Sequence, residues 1–290
     1  MRKVTIALIL VVAAGLIAVA GAFAQTPLNS GDGPLSVTLV AETGFVKVLT
    51  HTIQIGEGGS RFDYVNEGGQ EILSPISRFS AELGIGRRHT VVLLYQPLEL
   101  VTQSRFDRAV VVDDVTFPAG RVVDLTYSFP FYRLSYLYDF SPVPRLELAA
   151  GASLQLRNAS IRFTSIDGGD RDLSISQNLG PVPIVKVRAE YRPDGRIPGA
   201  FVAFEADGFY ASSSFFNGAA YDFAGSIYDA SLRAGFSPTN GVDVFLNARG
   251  LGGGATGTRG RDRDTWTESR EPYTDNFLNT LSLTIGARLR

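Results

Sequence analysis

Two long arms joined by a short turn occupy residues 121–162, which read RVVDLTYSFPFYRLSYLYDF, then SPVPR, then LELAAGASLQLRNASIR. In the second arm the even-numbered residues from 146 to 156 are leucine or alanine, whereas the odd-numbered ones between them are polar or small. Alternation with a period of two is typical of a β-strand whose faces meet different environments. The stretch is therefore predicted to form a long β-hairpin that turns at 141–145.

The first arm of this hairpin changes phase in its middle. Its apolar residues alternate through Leu125, Tyr127 and Phe129, slip at Pro130, and resume at Tyr132. A proline cannot donate to the ladder, so a bulge is predicted there. Both arms exceed the five or six residues of an ordinary strand. Long strands with one continuous apolar face favour a membrane β-barrel, in which each strand needs about 9–11 residues to cross.

The same alternation recurs along the rest of the chain. Counting both arms, it predicts ten strands, over residues 36–53, 77–85, 90–103, 121–140, 146–162, 184–191, 200–210, 224–236, 242–249 and 277–290. Short turns near 86, 141, 192 and 237 alternate with long polar connections, as in barrels with short periplasmic turns and long extracellular loops. The predicted fold is all-β: one transmembrane antiparallel up-and-down β-barrel of ten strands, with eight strands as the alternative.

A soluble barrel would show the same alternation with its apolar face turned inward. Two observations favour the membrane. Beyond residue 24 the only lysines are Lys47 and Lys186, whereas soluble sheets solvate their surfaces largely with lysine and glutamate. Aromatic residues lie at strand ends on the apolar face, as in the girdles of membrane barrels, at Tyr138, Phe140, Tyr191 and Phe236 near the short turns and at Phe79, Tyr210 and Phe277 at the other end.

The first 24 residues have the pattern of a secretory signal peptide. Arg2 and Lys3 precede an apolar run over 6–20, and Ala22-Phe23-Ala24 forms a small-x-small cleavage site. The predicted organisation is a cleaved signal peptide over 1–24 and one barrel domain over 25–290, with an uncleaved anchor as the alternative.

Composition excludes several functions. The whole chain has 27 Lys+Arg and 29 Asp+Glu, and removal of Arg2 and Lys3 with the signal peptide leaves 25 Lys+Arg. The mature chain is therefore acidic and has no excess of basic residues for binding nucleic acid. The chain has no cysteine, so disulfides, thiol catalysis and cysteine-ligated metals are excluded.

After residue 24 the chain resembles the outer-membrane β-barrel superfamily of bacteria, in its pattern rather than in a diagnostic motif. The resemblance implies a bacterial outer-membrane location, with membrane lipid and the barrel assembly machinery as partners. It leaves the oligomeric state open. Such barrels usually end in an aromatic residue that this machinery reads, whereas this chain ends in Ala287-Arg288-Leu289-Arg290.

Charged residues on the polar faces of the strands are the candidate lumen-lining residues. They are Glu42, Arg78, Glu82, Asp124, Arg133, Glu147, Arg157, Lys186, Arg188, Glu190, Glu205, Asp207, Asp229, Arg233, Asp243, Arg249 and Arg288. A narrow barrel is nearly filled by its side chains, and buried charges must pair because unpaired ones cost several kcal/mol each. A paired structural network is the favoured interpretation, and a narrow polar channel is the alternative.

Catalytic motifs of outer-membrane enzymes are missing around the two histidines, His51 and His89. Proteases of the omptin type use an Asp-x-His pair, but Leu49 and Arg87 occupy the aspartate positions. Outer-membrane lipases and lipid A deacylases use His-x-Ser, but Ile53 and Val91 occupy the serine positions.

His51 is therefore interpreted as a solvated histidine at the outer rim, with a lone general base as the alternative. No catalytic residue, cofactor or metal site is predicted. The predicted function is non-enzymatic, either a small porin-like channel or a structural surface protein. The alternatives are an outer-membrane enzyme acting on lipid or peptide and a loop-mediated binding protein or adhesin.

Overall fold

The computed structural model describes residues 34–56, 58–113, 115–166, 172–195, 197–213, 222–258 and 273–290, with the backbone alone at 157–158, 172–181, 222–223, 258 and 273. The predicted signal peptide lies outside these residues. No helix in the described part of the chain is long and apolar enough to span a membrane, a finding that does not bear on strands.

Ten antiparallel strands form a closed barrel, which confirms the predicted fold class. In order around the wall they are β1 (Leu35–Ile55), β3 (Leu73–Ile85), β4 (His89–Gln96), β9 (Phe131–Asp139), β10 (Leu146–Ser165), β11 (Asp172–Tyr191), β12 (Phe201–Ser212), β13 (Asp222–Thr239), β14 (Val242–Thr258) and β15 (Tyr273–Leu289). The barrel closes where β15 pairs with β1, from Leu39↔Leu289 to Ile55↔Thr274. One end, which we call the short-turn end, carries the connections β3–β4, β9–β10, β11–β12 and β13–β14. The other end, the long-connection end, carries the remaining connections, of which the one between β10 and β11 is only six residues long.

Five short strands lie at the long-connection end. They are β2 (Phe62–Asp63), β5 (Glu99–Arg105), β6 (Val110–Val112), β7 (Val115–Phe117) and β8 (Val122–Ser128). Beyond Pro97 and Pro130, β5 and β8 continue β4 and β9 as a hairpin, and β8 pairs with the upper part of β10. We call residues 56–72 and 97–130 the cap. Most of the cap was predicted to be polar loop, so the sequence did not reveal that it is a folded layer.

The faces of the strands reverse between barrel and cap. In the barrel wall, Leu154 points outward and is exposed, whereas Gln155 points inward and is buried. In β8 the apolar Leu125 and Tyr127 are buried inside, and Asp124 lies on the outer face with Gln103. The prediction that Asp124 lines the lumen is therefore wrong. Above the lipid band the outer surface meets water, so apolar side chains are more stable on the inside.

The predicted aromatic girdle residues are all exposed on the outer face of the barrel. Phe236 and Tyr210 lie near the ends of β13 and β12, as predicted. Phe79 instead lies at the middle of β3, because this strand begins at Leu73 and is longer than its sequence pattern indicates.

Strand pairing also extends through two segments that were predicted to be loop. The polar connection over 164–181 is largely the first half of β11, which pairs with the upper half of β10. The glycine-rich segment after residue 249 continues β14 to Thr258, paired on both sides. A Cβ at Gly252 would meet the ring of Tyr228, which covers this glycine from outside. Backbone pairing by both neighbours thus overrides the weak strand propensity of glycine.

Candidate functional site

Buried ion pairs fill the middle of the barrel. Asp229 of β13 accepts hydrogen bonds from Arg133 Nη1 at 2.9 Å and from Arg249 Nε at 2.6 Å. Arg133 also lies 3.0 Å from Asp207, which binds Lys186 Nζ at 3.0 Å. These five side chains come from five different strands and are each at most 5% exposed. They hold the strands together across the lumen.

A second group of charges continues the network toward the short-turn end. Glu205 binds Lys186 Nζ at 2.9 Å and Arg233 Nη1 at 3.1 Å. Arg233 Nη2 reaches Glu42 at 3.1 Å. Glu42 also accepts hydrogen bonds from Asn247 at 2.6 Å and Thr284 at 3.0 Å. Both carboxylate oxygens of Glu42 are therefore occupied.

The network ends at a polar cavity of about 210 Å³ at the short-turn end. Arg188 forms two parallel hydrogen bonds of 2.9 Å with Glu82, and Arg288 lies 2.8 Å from Glu190. Two guanidinium groups lie over the buried ring of Phe201. The ring centroid is 4.7 Å from the guanidinium carbon of Arg192 and 4.9 Å from that of Arg288. Such contacts stabilise an arginine against an aromatic face.

Fifteen of the seventeen candidate residues lie in the lumen, and all of them except Arg78 take part in ion pairs there. The fifteen are Glu42, Arg78, Glu82, Arg133, Glu147, Lys186, Arg188, Glu190, Glu205, Asp207, Asp229, Arg233, Asp243, Arg249 and Arg288. Asp124 lies outside, and the side chain of Arg157 lies outside the part of the chain that the structure describes. Arg192 and Arg290 also lie in this network, since both bind Asp243, although neither is among the predicted lumen residues. Arg192 lies in a predicted turn, and no local signal directs a turn residue inward.

An apolar layer closes the other half of the barrel and continues into the cap. At its centre the ring of Phe163 lies 5.6 Å from Phe62, 5.6 Å from Phe117 and 6.0 Å from Tyr64. Phe62 and Tyr64 come from the connection between β1 and β3, and Phe117 comes from the β6–β7 hairpin. All four rings are fully buried. The cap is thus packed onto the barrel through aromatic contacts.

His51 lies inside this apolar layer, so its interpretation as a solvated rim histidine is wrong. It is 0% exposed, its ring is stacked 4.2 Å from that of Tyr64, and its Nδ1 lies 2.7 Å from Gln70 Oε1. A register shift between Val48 and Thr50 turns the side chain inward. Burial raises the pKa of Tyr64, which keeps its phenol protonated beside the imidazole.

Among the described residues, no group of three or more histidine, aspartate and glutamate side chains could hold a metal ion. Most charged side chains of the lumen form ion pairs with one another. Their arrangement therefore stabilises a particular barrel register and fills the lumen.

A closed ten-stranded barrel with an apolar outer belt and a polar, ion-paired interior has the fold of the bacterial outer-membrane β-barrels. The outer membrane protease OmpT of Escherichia coli is similar with a TM-score of 0.50 and 10% identity, covering 87% of this chain and 96% of that one. This likeness shows the fold alone.

Two further solved structures match with lower TM-scores. The transport unit of the autotransporter AIDA-I of Escherichia coli has a TM-score of 0.39 and 9% identity, covering 95% of this chain and 98% of that one. The attachment invasion locus protein Ail of Yersinia pestis has a TM-score of 0.36 and 9% identity, covering 87% and 99%. No family model and no curated protein sequence matches the chain.

Proposed function

We propose that this protein is a non-enzymatic outer-membrane β-barrel that is closed to ions and carries a folded cap on the cell surface. The observation that supports the proposal is the filling of the lumen by two successive layers. Paired charges occupy the half nearer the short turns, and the apolar layer occupies the other half. A structural surface protein fits this interior better than a porin-like channel does.

Both layers oppose conduction, for different reasons. A permeating ion needs water or replacement ligands along its whole path. In the lower layer Asp207, Asp229 and Glu205 already bind cationic side chains. In the upper layer Phe131 and Phe163 are fully buried among other apolar side chains and offer an ion no ligand.

Recording in a planar bilayer tests this function. The full chain, inserted from detergent, is expected to give no current steps in concentrated salt, whereas a general porin inserted the same way gives steps in each trial. Insertion is checked independently by protection of the barrel from protease in vesicles. Regular, ion-selective steps from the unmodified protein would instead assign it as a porin-like channel.

We also propose that the cap faces outward and that the short turns face the periplasm, after assembly by the barrel assembly machinery. The chain has no cysteine, so single cysteines report position without background. Asp107 is exposed in the cap and Arg87 is exposed in a short turn. On intact cells an impermeant maleimide is expected to label Asp107→Cys but to label Arg87→Cys only after the outer membrane is broken. Labelling of Arg87→Cys alone on intact cells would reverse the orientation.

A further inference from the structure

The wall of the barrel is interrupted on one side of β3. Its pairing with β1 runs the whole strand, from Leu73 to Ile85, whereas its pairing with β4 covers only Phe79–Ile85. Beyond Pro97, β5 turns away from β3 and pairs with β8 alone. All of these residues are described, and no backbone ladder joins residues 73–78 to residues 96–101. We call this unpaired junction the seam.

The lower part of the seam lies at the level of the membrane's outer half, and its upper end, at Leu73 and Val101, reaches the level of the cap. At about 3.3 Å per residue and a tilt of about 40°, the seam begins about 15 Å above the lower end of β3, within an apolar band about 25 Å tall. Leu73 and Val101, which flank it, are 62% and 57% exposed. Pro75, in the unpaired stretch, has no N–H to leave without a partner. Glu99 is also exposed on this outer face, beside Val101, so the surface at the seam is mixed, and no ladder hydrogen bond crosses the wall there.

Two buried polar side chains lie immediately behind the lower end of the seam. Arg78 and Gln96 come directly after the last ladder pair, Phe79↔Tyr95, so the register places them opposite each other, and both are buried. Nε and Nη1 of Arg78 and both amide atoms of Gln96 have no hydrogen-bond partner among the described residues. A buried polar group without a partner is costly, which points to a missing ligand.

Arg78 differs from the other buried cations that the structure describes. Arg133, Lys186, Arg188, Arg233 and Arg249 each have a carboxylate within 4.0 Å, and no such pair involves Arg78. Its ladder partner Glu42 is engaged with Arg233, Asn247 and Thr284. Glu42, Glu205 and Asp229 still act on the charge of Arg78 from beyond 4.0 Å. What the guanidinium lacks is a hydrogen-bond acceptor for Nε and Nη1, which an anionic head can supply.

The surroundings above Arg78 are apolar. Leu98 and Leu100 follow Gln96 along the chain, are 1% exposed, and belong to the same core as Ile76. We propose that the seam binds a single-chain amphiphile with an anionic head. Its head lies on Arg78 and Gln96, and its chain lies along Leu98 and Leu100. No ladder hydrogen bond has to break between β3 and β5 to admit it.

Equilibrium dialysis of radiolabelled dodecanoate against the full chain in zwitterionic lipid nanodiscs tests the site, with empty nanodiscs as background. Arg78→Gln is expected to weaken dodecanoate binding at least roughly tenfold, because charge-assisted hydrogen bonds are lost. Arg78→Lys keeps the charge, so its affinity for dodecanoate is expected to stay within a few fold of that of the unmodified protein. Binding of dodecanol, which has a neutral head and the same chain, is expected to be equal in all three proteins.

The matched control is Arg88→Gln, which removes an exposed arginine at the short-turn end and is expected to leave dodecanoate binding unchanged. Thermal melting checks the folding of each variant. Unmodified protein that binds no dodecanoate above background would overturn the proposal, as would equal binding by Arg78→Gln. Neither result bears on conduction, so the closed-barrel proposal stands or fails separately.

Discussion

Replacing Asp229 with alanine is expected to lower the free energy of unfolding by about 3–5 kcal/mol, the cost of breaking a buried ion pair from one side. Asp229 is 2% exposed and accepts hydrogen bonds from both Arg133 and Arg249. Its removal leaves two buried guanidinium groups short of a partner. Thermal and urea unfolding in lipid vesicles, followed by circular dichroism and by gel mobility, measures the loss.

The control for Asp229→Ala is Glu67→Ala in the cap. Glu67 and its partner Arg108 lie 2.8 Å apart, but their side chains are 32% and 46% exposed. Surface ion pairs contribute about 0–1 kcal/mol, so this variant is expected to unfold almost as the unmodified protein does. If Asp229→Ala keeps full stability and acquires an ion-selective conductance, the network is solvated and the lumen is a channel.

Replacing Phe163 with alanine is expected to destabilise the cap by about 3–5 kcal/mol, the usual cost of deleting a buried phenylalanine side chain. The ring of Phe163, on β10, contacts Phe62, Tyr64, Phe106 and Phe117, which all belong to the cap. The barrel wall keeps its ladders, so the cap is expected to open while the strands remain paired. Limited proteolysis of vesicle-bound protein measures this opening as faster cleavage within 56–72 and 97–130.

The matched control is Val101→Ala, on the outer face of β5 in the same cap. It removes an exposed side chain and is expected to change cap stability by less than about 0.5 kcal/mol. Equal cleavage rates for Phe163→Ala and the unmodified protein would show that the aromatic contacts do not hold the cap closed. Loss of the whole barrel in Phe163→Ala would show that cap and barrel unfold as one unit.

The alternating pattern was sufficient to predict the barrel because it is a local property of each strand. Every second side chain from 146 to 156 faces lipid, and neighbouring strands of the barrel pair antiparallel around the wall. The inward positions of Glu42, Lys186 and Arg233 followed from the same periodicity. The sequence left ten or eight strands open, and the structure decides for ten.

The cap could not be predicted in this way. Phe62 and Tyr64 lie in a glycine-rich polar stretch with no alternation, and they are buried only because Phe163 and Phe117 are brought onto them. The turn of His51 into the same layer depends on a register shift against β15. A local pattern contains no information about a distant partner.

By itself, the sequence determined which residues share a face of each strand. Only the tertiary structure decided what each face meets. Alternation is the same in β8 and β10, yet the apolar face points inward in β8, where water surrounds the cap, and outward in the lower part of β10, where lipid surrounds the barrel. Partner choice within the lumen was likewise tertiary. Glu42 binds Arg233, 191 residues away along the chain, because barrel closure brings β1 and β13 to the same level of a narrow interior.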